Sequence, residues 1–186
     1  MRYWPLALAV LFLAVRRLTM SAIPDEDTES AARMLIAETG ARGSGEELES
    51  IVQVAVNRAD KDGVSVADVV GPPGRSSRGV WNNSDQFKAD FENAHNRGLS
   101  WVRALEIAQR VTAGTTQNRI GTRLHFIHAA NFPPCTGPGQ CDSGRESQRG
   151  RARWQCIETP SGYRCVPSWA AVDPVSVGRA TFSNPS

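Results

Sequence analysis

The sequence predicts an α+β chain that is mainly α: a helical lobe followed by a small β-rich, disulfide-bearing part. Apolar residues recur at helical spacing in three stretches between Thr28 and Thr112, which gives each helix one face to bury. After Arg123 the apolar runs shorten to strand length, separated by Gly, Pro and Ser. All four cysteines, Cys135, Cys141, Cys156 and Cys165, lie in the last third.

The elements follow in order. Met1 and Arg2 precede an apolar run from Tyr3 to Val15. It is shorter than the roughly 20 residues of a spanning helix and matches the core of a secretory signal. Arg16 and Arg17 follow, and Ser21-Ala22 supply small residues for cleavage. Residues 1–22 are therefore expected to be a signal peptide or a membrane-targeting segment, with any membrane attachment made through residues 3–15. Residues 23–186 form one domain, large enough for a single hydrophobic core.

Acidic residues from Asp25 to Glu29 suit the positive end of a helix dipole. The helix predicted over Thr28–Thr39 groups Ala31, Met34 and Leu35 on one face and stops at Gly40. Glu38 falls on that same apolar face. A glycine-rich connection leads to Ser44, which with Glu47 has capping-box spacing. Leu48, Ile51, Val52, Ala55 and Ala59 then make the stripe of a second helix, ended by Asp62-Gly63. A short helix follows from Ser65, then a loop over residues 71–83. Ser100–Thr112 is the third clear helix, with Trp101, Ala104, Leu105 and Ala108 inward and Gly114 as its stop. Arg123–His128 reads as a strand, Cys135–Arg153 as an exposed loop, Trp154–Trp169 as a hairpin and Val175–Phe182 as one final strand.

An even number of clustered cysteines behind an export signal predicts two disulfides. Of three connectivities, the local pairs Cys135–Cys141 and Cys156–Cys165 are the simplest. Zinc is the rival ligand, although no Cys-x-x-Cys spacing is present. His125 and His128 would point to opposite faces of a strand, so no metal is predicted there. A net charge of +2 gives no concentrated basic signature, and no nucleic-acid partner is predicted. No phosphate loop, dinucleotide fingerprint or Gly-x-Ser-x-Gly elbow occurs, and no cofactor is expected.

Glu38 is the main candidate for chemistry. A carboxyl on the inward side of a helix is partly desolvated, which raises its pKa, as a general acid near neutral pH requires. Its structural alternative is an ion pair with Arg33, Arg42 or Arg58. Trp81 and Trp101 are aromatics of the kind that stack on sugars or fill cores.

Ala32-Arg33-Met34-Leu35-Ile36-Ala37-Glu38, then Gly45-Glu46 and Val54-Ala55-Val56-Asn57-Arg58, resembles the cell-wall hydrolase family that includes the spore-cortex-lytic enzymes. Gln86-Phe87, Ala104–Gly114, His125-Phe126, Val166-Pro167-Ser168-Trp169-Ala170 and Val177-Gly178 through Phe182 match further family elements in order, covering residues 30–183. The resemblance implies a lysozyme-like fold and cleavage of peptidoglycan between N-acetylmuramic acid and N-acetylglucosamine, commonly as a lytic transglycosylase. It implies Glu38 as the catalytic acid, with Glu46, Asn57, Arg58, Gln86, Phe87 and His125 as substrate-binding or supporting residues. A monomer working in the periplasm, cell envelope or extracellular space is expected. A water-using muramidase and a non-catalytic wall-binding module are the alternatives. The chain differs from the family pattern in a longer connection after Glu38, in Leu124 and Ala180, and in the cysteine-bearing insertion.

Overall fold

The computed structural model describes residues 24–71, 85–128, 131–136, 141 and 154–184. The expected leader, the loop over 72–83 with Trp81, and most of the 135–153 stretch lie outside the described residues. The chain is mixed helix and sheet, and among the described residues no helix is long and apolar enough to cross a membrane.

Helix α1 (Glu26–Thr39) starts at Asp25, whose carboxylate accepts the Thr28 N–H at 2.7 Å. It stops at Gly40, which takes a left-handed conformation and donates its N–H to Ile36 O. Ala31, Ala32, Met34, Leu35 and Ile36 are buried along it. Helix α2 (Gly45–Asp62) is capped by Ser44 and ends at Gly63. Helix α3 (Val66–Val70) is entered from Ser65 as expected. Helix α4 (Asp85–Glu92) and a 3-10 turn (Ala94–Arg97) were not foreseen: only Phe87 and Phe91 of α4 are buried, too few to show a period. Helix α5 (Leu99–Thr112) begins at Gly98 without a side-chain cap, one residue before the expected start at Ser100. α1 is the centre of the lobe, packed on α5, α3 and α4.

Strand β1 (His125–His128) pairs antiparallel with β5 (Ala180–Ser183), which pairs with β4 (Val175–Val177). The single final strand expected over 175–182 is therefore a hairpin. Gly178, at φ 59, supplies the backbone conformation that its Gly178-Arg179 turn requires. Alternation along β1 serves two cores. Phe126 packs against the helical core that includes Phe182, whereas Ile127 joins a smaller cluster with Val166 and Ala170.

Strands β2 (Trp154–Ile157) and β3 (Arg164–Pro167) form the expected hairpin, with Cys156 opposite Cys165. Residues 133–135 lie along β3: the Cys165 N–H donates to Pro133 O and the Cys135 N–H to Tyr163 O. That placement carries Cys135 to the hairpin. The disulfides are Cys135–Cys156 and Cys141–Cys165, not the local pairs. Two disulfides suit an oxidising compartment.

Leu35 is fully buried and Leu99 is 88% exposed. Leu35→Ala should cost about 3 kcal/mol in urea unfolding, while Leu99→Ala should stay within about 0.5 kcal/mol.

Candidate active site

Glu38 sits in the last turn of α1, half-buried, one turn beyond the buried Met34 and Leu35. Burial pushes its pKa from the ordinary 4.5 to about 7, and the Arg58 guanidinium opposes that rise. The carboxyl therefore keeps its proton near neutrality, with a positive group in reach of the charge it acquires on ionising.

The turn after Glu38 is held from two sides. Arg103 of α5 donates to Ala41 O and Gly43 O, at 3.2 and 2.8 Å. Arg179 of the β4–β5 turn reaches Arg42 O at 3.4 Å. Ala41 has a positive φ of 55 with its side chain buried, so tertiary contacts impose this turn.

Asn57 and Arg58, in the last two turns of α2, fasten the entry to β1. The Asn57 amide donates to Gly121 O and Arg123 O, both at 2.8 Å, and its oxygen accepts from Gln53. Arg58 Nε donates to Leu124 O at 2.5 Å, and its Nη2 lies 3.0 Å from His125 Nδ1. Guanidinium is only a donor, so Nδ1 accepts and the ring carries its proton on Nε2. Arg58 thus links Glu38, through its charge, to His125, through a hydrogen bond.

The other sequence candidates lie elsewhere. Glu46 is exposed and paired with Arg119 at 3.0 Å. Gln86 is exposed on α4, bonded to Asp90 at 2.8 Å. Phe87 is buried and stacked on Phe91, and Trp101 packs against the helical core.

Two residues given no site role by the sequence form a second constellation. Glu47 is 1% exposed. Ser44 Oγ accepts the Glu47 N–H, but the reciprocal half of a capping box is absent. The Glu47 side chain turns inward instead, and its Oε2 accepts the Arg179 N–H at 3.1 Å, with Arg179 Nε at 3.6 Å. Its Oε1 is buried with no partner among the described residues. Gly43 and Gly178 wall it in: a Cβ on Gly178 would meet Glu47 Oε2 at 2.5 Å and its Cβ at 2.9 Å. His128, half-buried at the end of β1, shares this environment. Burial lowers its pKa, Glu47 opposes that, and Arg179 adds to it. The legible signal for Glu47 was the glycine at position 43; the approach of Gly178 is not written locally.

Compared with known proteins, the chain matches no family model, no curated protein and no solved structure.

Two outcomes test this geometry. Gly178→Ala should destabilise at least twice as much as Gly114→Ala. Both positions have positive φ, costing about 1 kcal/mol for a side chain, but only Gly178 faces an obstacle. For Glu38, the folded protein binds more protons than the unfolded chain between pH 4.5 and about 7, so stability falls as pH rises through that window. Glu38→Gln should therefore match wild type at pH 4 and exceed it at pH 8 in urea unfolding. The excess should be on the order of 2 kcal/mol after allowance for partial exposure.

Proposed function

We propose that this chain cleaves the glycan strands of peptidoglycan between N-acetylmuramic acid and N-acetylglucosamine, as a lytic transglycosylase acting outside the cytoplasm, in the periplasm, cell envelope or extracellular space. The observation that carries the reading is the Glu38 carboxyl, which burial lets hold its proton up to about pH 7 with the Arg58 guanidinium beside it. The ordered resemblance of residues 30–183 to spore-cortex-lytic cell-wall hydrolases supports it, as do the disulfides of an oxidising compartment.

In this mechanism one carboxyl does both proton transfers. Glu38 protonates the glycosidic oxygen as the bond to the anomeric carbon breaks. Its carboxylate, near the Arg58 guanidinium, then takes the proton of the muramic acid 6-hydroxyl while that oxygen closes a 1,6-anhydro ring. No water enters and Glu38 ends protonated, ready for another cycle. Asn57 and Arg58 act as positioning residues, tying the helix end to β1 and orienting His125 as an Nε2–H donor.

A hydrolytic muramidase is the second reading, and one observation favours it. Glu47 is another inward carboxyl, with an oxygen that no described residue binds. A water-using reaction needs a second carboxyl to activate the water.

Mass spectrometry of purified peptidoglycan digested by residues 23–186 tests both. Anhydro-muramic ends that disappear with Glu38→Gln are expected. Reducing muramic acid ends would establish the muramidase, and no products from several walls would overturn cleavage and leave a binding module. The activity should fall on the alkaline side with a midpoint near pH 7, where Glu38 loses its proton. A general acid of this kind contributes about 10²–10⁴ in rate, so Glu38→Gln should lose at least that range's lower bound.

A further inference from the structure

The turn that follows Glu38 gathers three exposed arginines, and the proposed proton transfers use none of them. Arg103 reaches the turn from α5 and donates to Ala41 O and Gly43 O. Arg179 reaches it from the β4–β5 turn and donates to Arg42 O. Arg42 belongs to the turn itself, and its side chain folds back over Gly40, where a Cβ would meet its Nε at 3.9 Å. Carbonyls 41 to 43 span about 7 Å of backbone, so the three guanidiniums stand around one small area directly after Glu38 in the chain.

Their charge is not balanced locally. Arg110 and Arg119, by contrast, are matched by Glu49 and Glu46. Glu47 is the one carboxylate paired with the three among the described residues, and it meets Arg179 from the interior. Arg42 and Arg103 have no carboxylate partner among the described residues. A guanidinium carries five N–H donors. Arg103 spends two groups on the turn and the Arg42 side chain spends none on described residues, which leaves donors and positive charge at the surface.

We infer, on the basis of the cleavage proposed above, that Arg42, Arg103 and Arg179 bind the carboxylates of the peptide stem carried by muramic acid. The chain then acts on stem-bearing glycan in preference to naked glycan. The stem leaves the sugar at the lactyl group, close to the bond that Glu38 protonates. Its carboxylates come from its acidic residues and its C-terminus, and guanidinium matches carboxylate with paired N–H···O bonds. A stem of about four residues spans at most about 14 Å when extended, long enough to meet all three side chains. Leu99 and Val102, both exposed, neighbour Arg103 on the outward face of α5. They offer the alanine methyls of a stem an apolar surface. A lipid surface would satisfy the same charges, yet a bilayer here would cover the turn beside Glu38 and shut the glycan out.

The Glu38→Gln chain separates binding from cleavage. Its affinity should be measured by fluorescence anisotropy for end-labelled, uncrosslinked glycan strands in three forms: stem-bearing, stripped of stems by an amidase, and stem-bearing with the carboxylates converted to amides. An exposed ion pair contributes about 1.4- to 5-fold, so with three the stem-bearing strands should bind on the order of 10-fold more tightly than either other form. The preference should fade in about 1 M salt, where charges are screened within about 3 Å. Arg42→Glu, at a side chain that holds no described residue in place, should remove most of the preference. Equal affinity for the three forms would overturn this inference and leave wall cleavage standing. So would a preference that survives Arg42→Glu unchanged, or binding to phosphatidylglycerol vesicles in place of stem-bearing strands. Binding to none of the strands would overturn it together with the wall reading.

Discussion

A short polar joint at the end of α2 holds the sheet against the helices. The connection before β1 turns three carbonyls, those of Gly121, Arg123 and Leu124, toward that helix, and Asn57 and Arg58 satisfy all three. Gly121 is exposed and its carbonyl also accepts from Asn118, whereas Arg123 and Leu124 are half-buried. Loss of their partners would cost a part of the about 1–3 kcal/mol of a fully buried unpaired group. These bonds hold the entry to β1 against the end of α2. Phe126 then enters the main core, Ile127 enters the smaller one, and β5 has a template for Phe182. The same arginine sets the environment of the acid. Its side chain is anchored on β1 and its charge acts on Glu38, so the joint between the two parts is also the electrostatic setting of the proposed chemistry.

A second buried carboxyl works differently. Glu47 occupies a position where helix-capping chemistry alone would keep its side chain near Ser44. The competing partner is the β4–β5 turn, which offers the Arg179 N–H and a glycine small enough to approach. Tertiary contact wins over the local cap because the carboxyl is enclosed there between Gly43 and Gly178 and meets both the Arg179 N–H and its guanidinium. The α2 N-terminus thereby becomes the anchor of the last hairpin.

Much of this was legible from local pattern. The apolar faces of α1, α2 and α5 follow from helical period, and their ends from Asp25, Ser44, Gly40 and Gly63. The inward placement of Glu38 follows from counting around α1. Less was legible where local sequence carries little information. Helix α4 buries only Phe87 and Phe91 and has no stripe. The strand expected over 175–182 hides a two-residue turn at Gly178-Arg179, flanked on both sides by the same alternation of apolar and polar residues. Glu46 and Glu47 are neighbours in sequence, yet one meets Arg119 at the surface and the other the interior. The difference depends on a turn more than a hundred residues away. Cysteine pairing likewise depended on how residues 133–135 dock against β3, a non-local fact.

The crossed bridges have a consequence for the chain as a covalent object. Cys135 and Cys141 precede the polar stretch over 142–153, Cys156 and Cys165 follow it, and each bridge spans it. A protease that cut anywhere in that stretch would release no fragment, because both new ends stay tethered twice to the other side. Local pairing would have let the hairpin be severed by a single cut. With the observed pairing a nicked molecule keeps its full mass on a non-reducing gel and divides in two only after reduction.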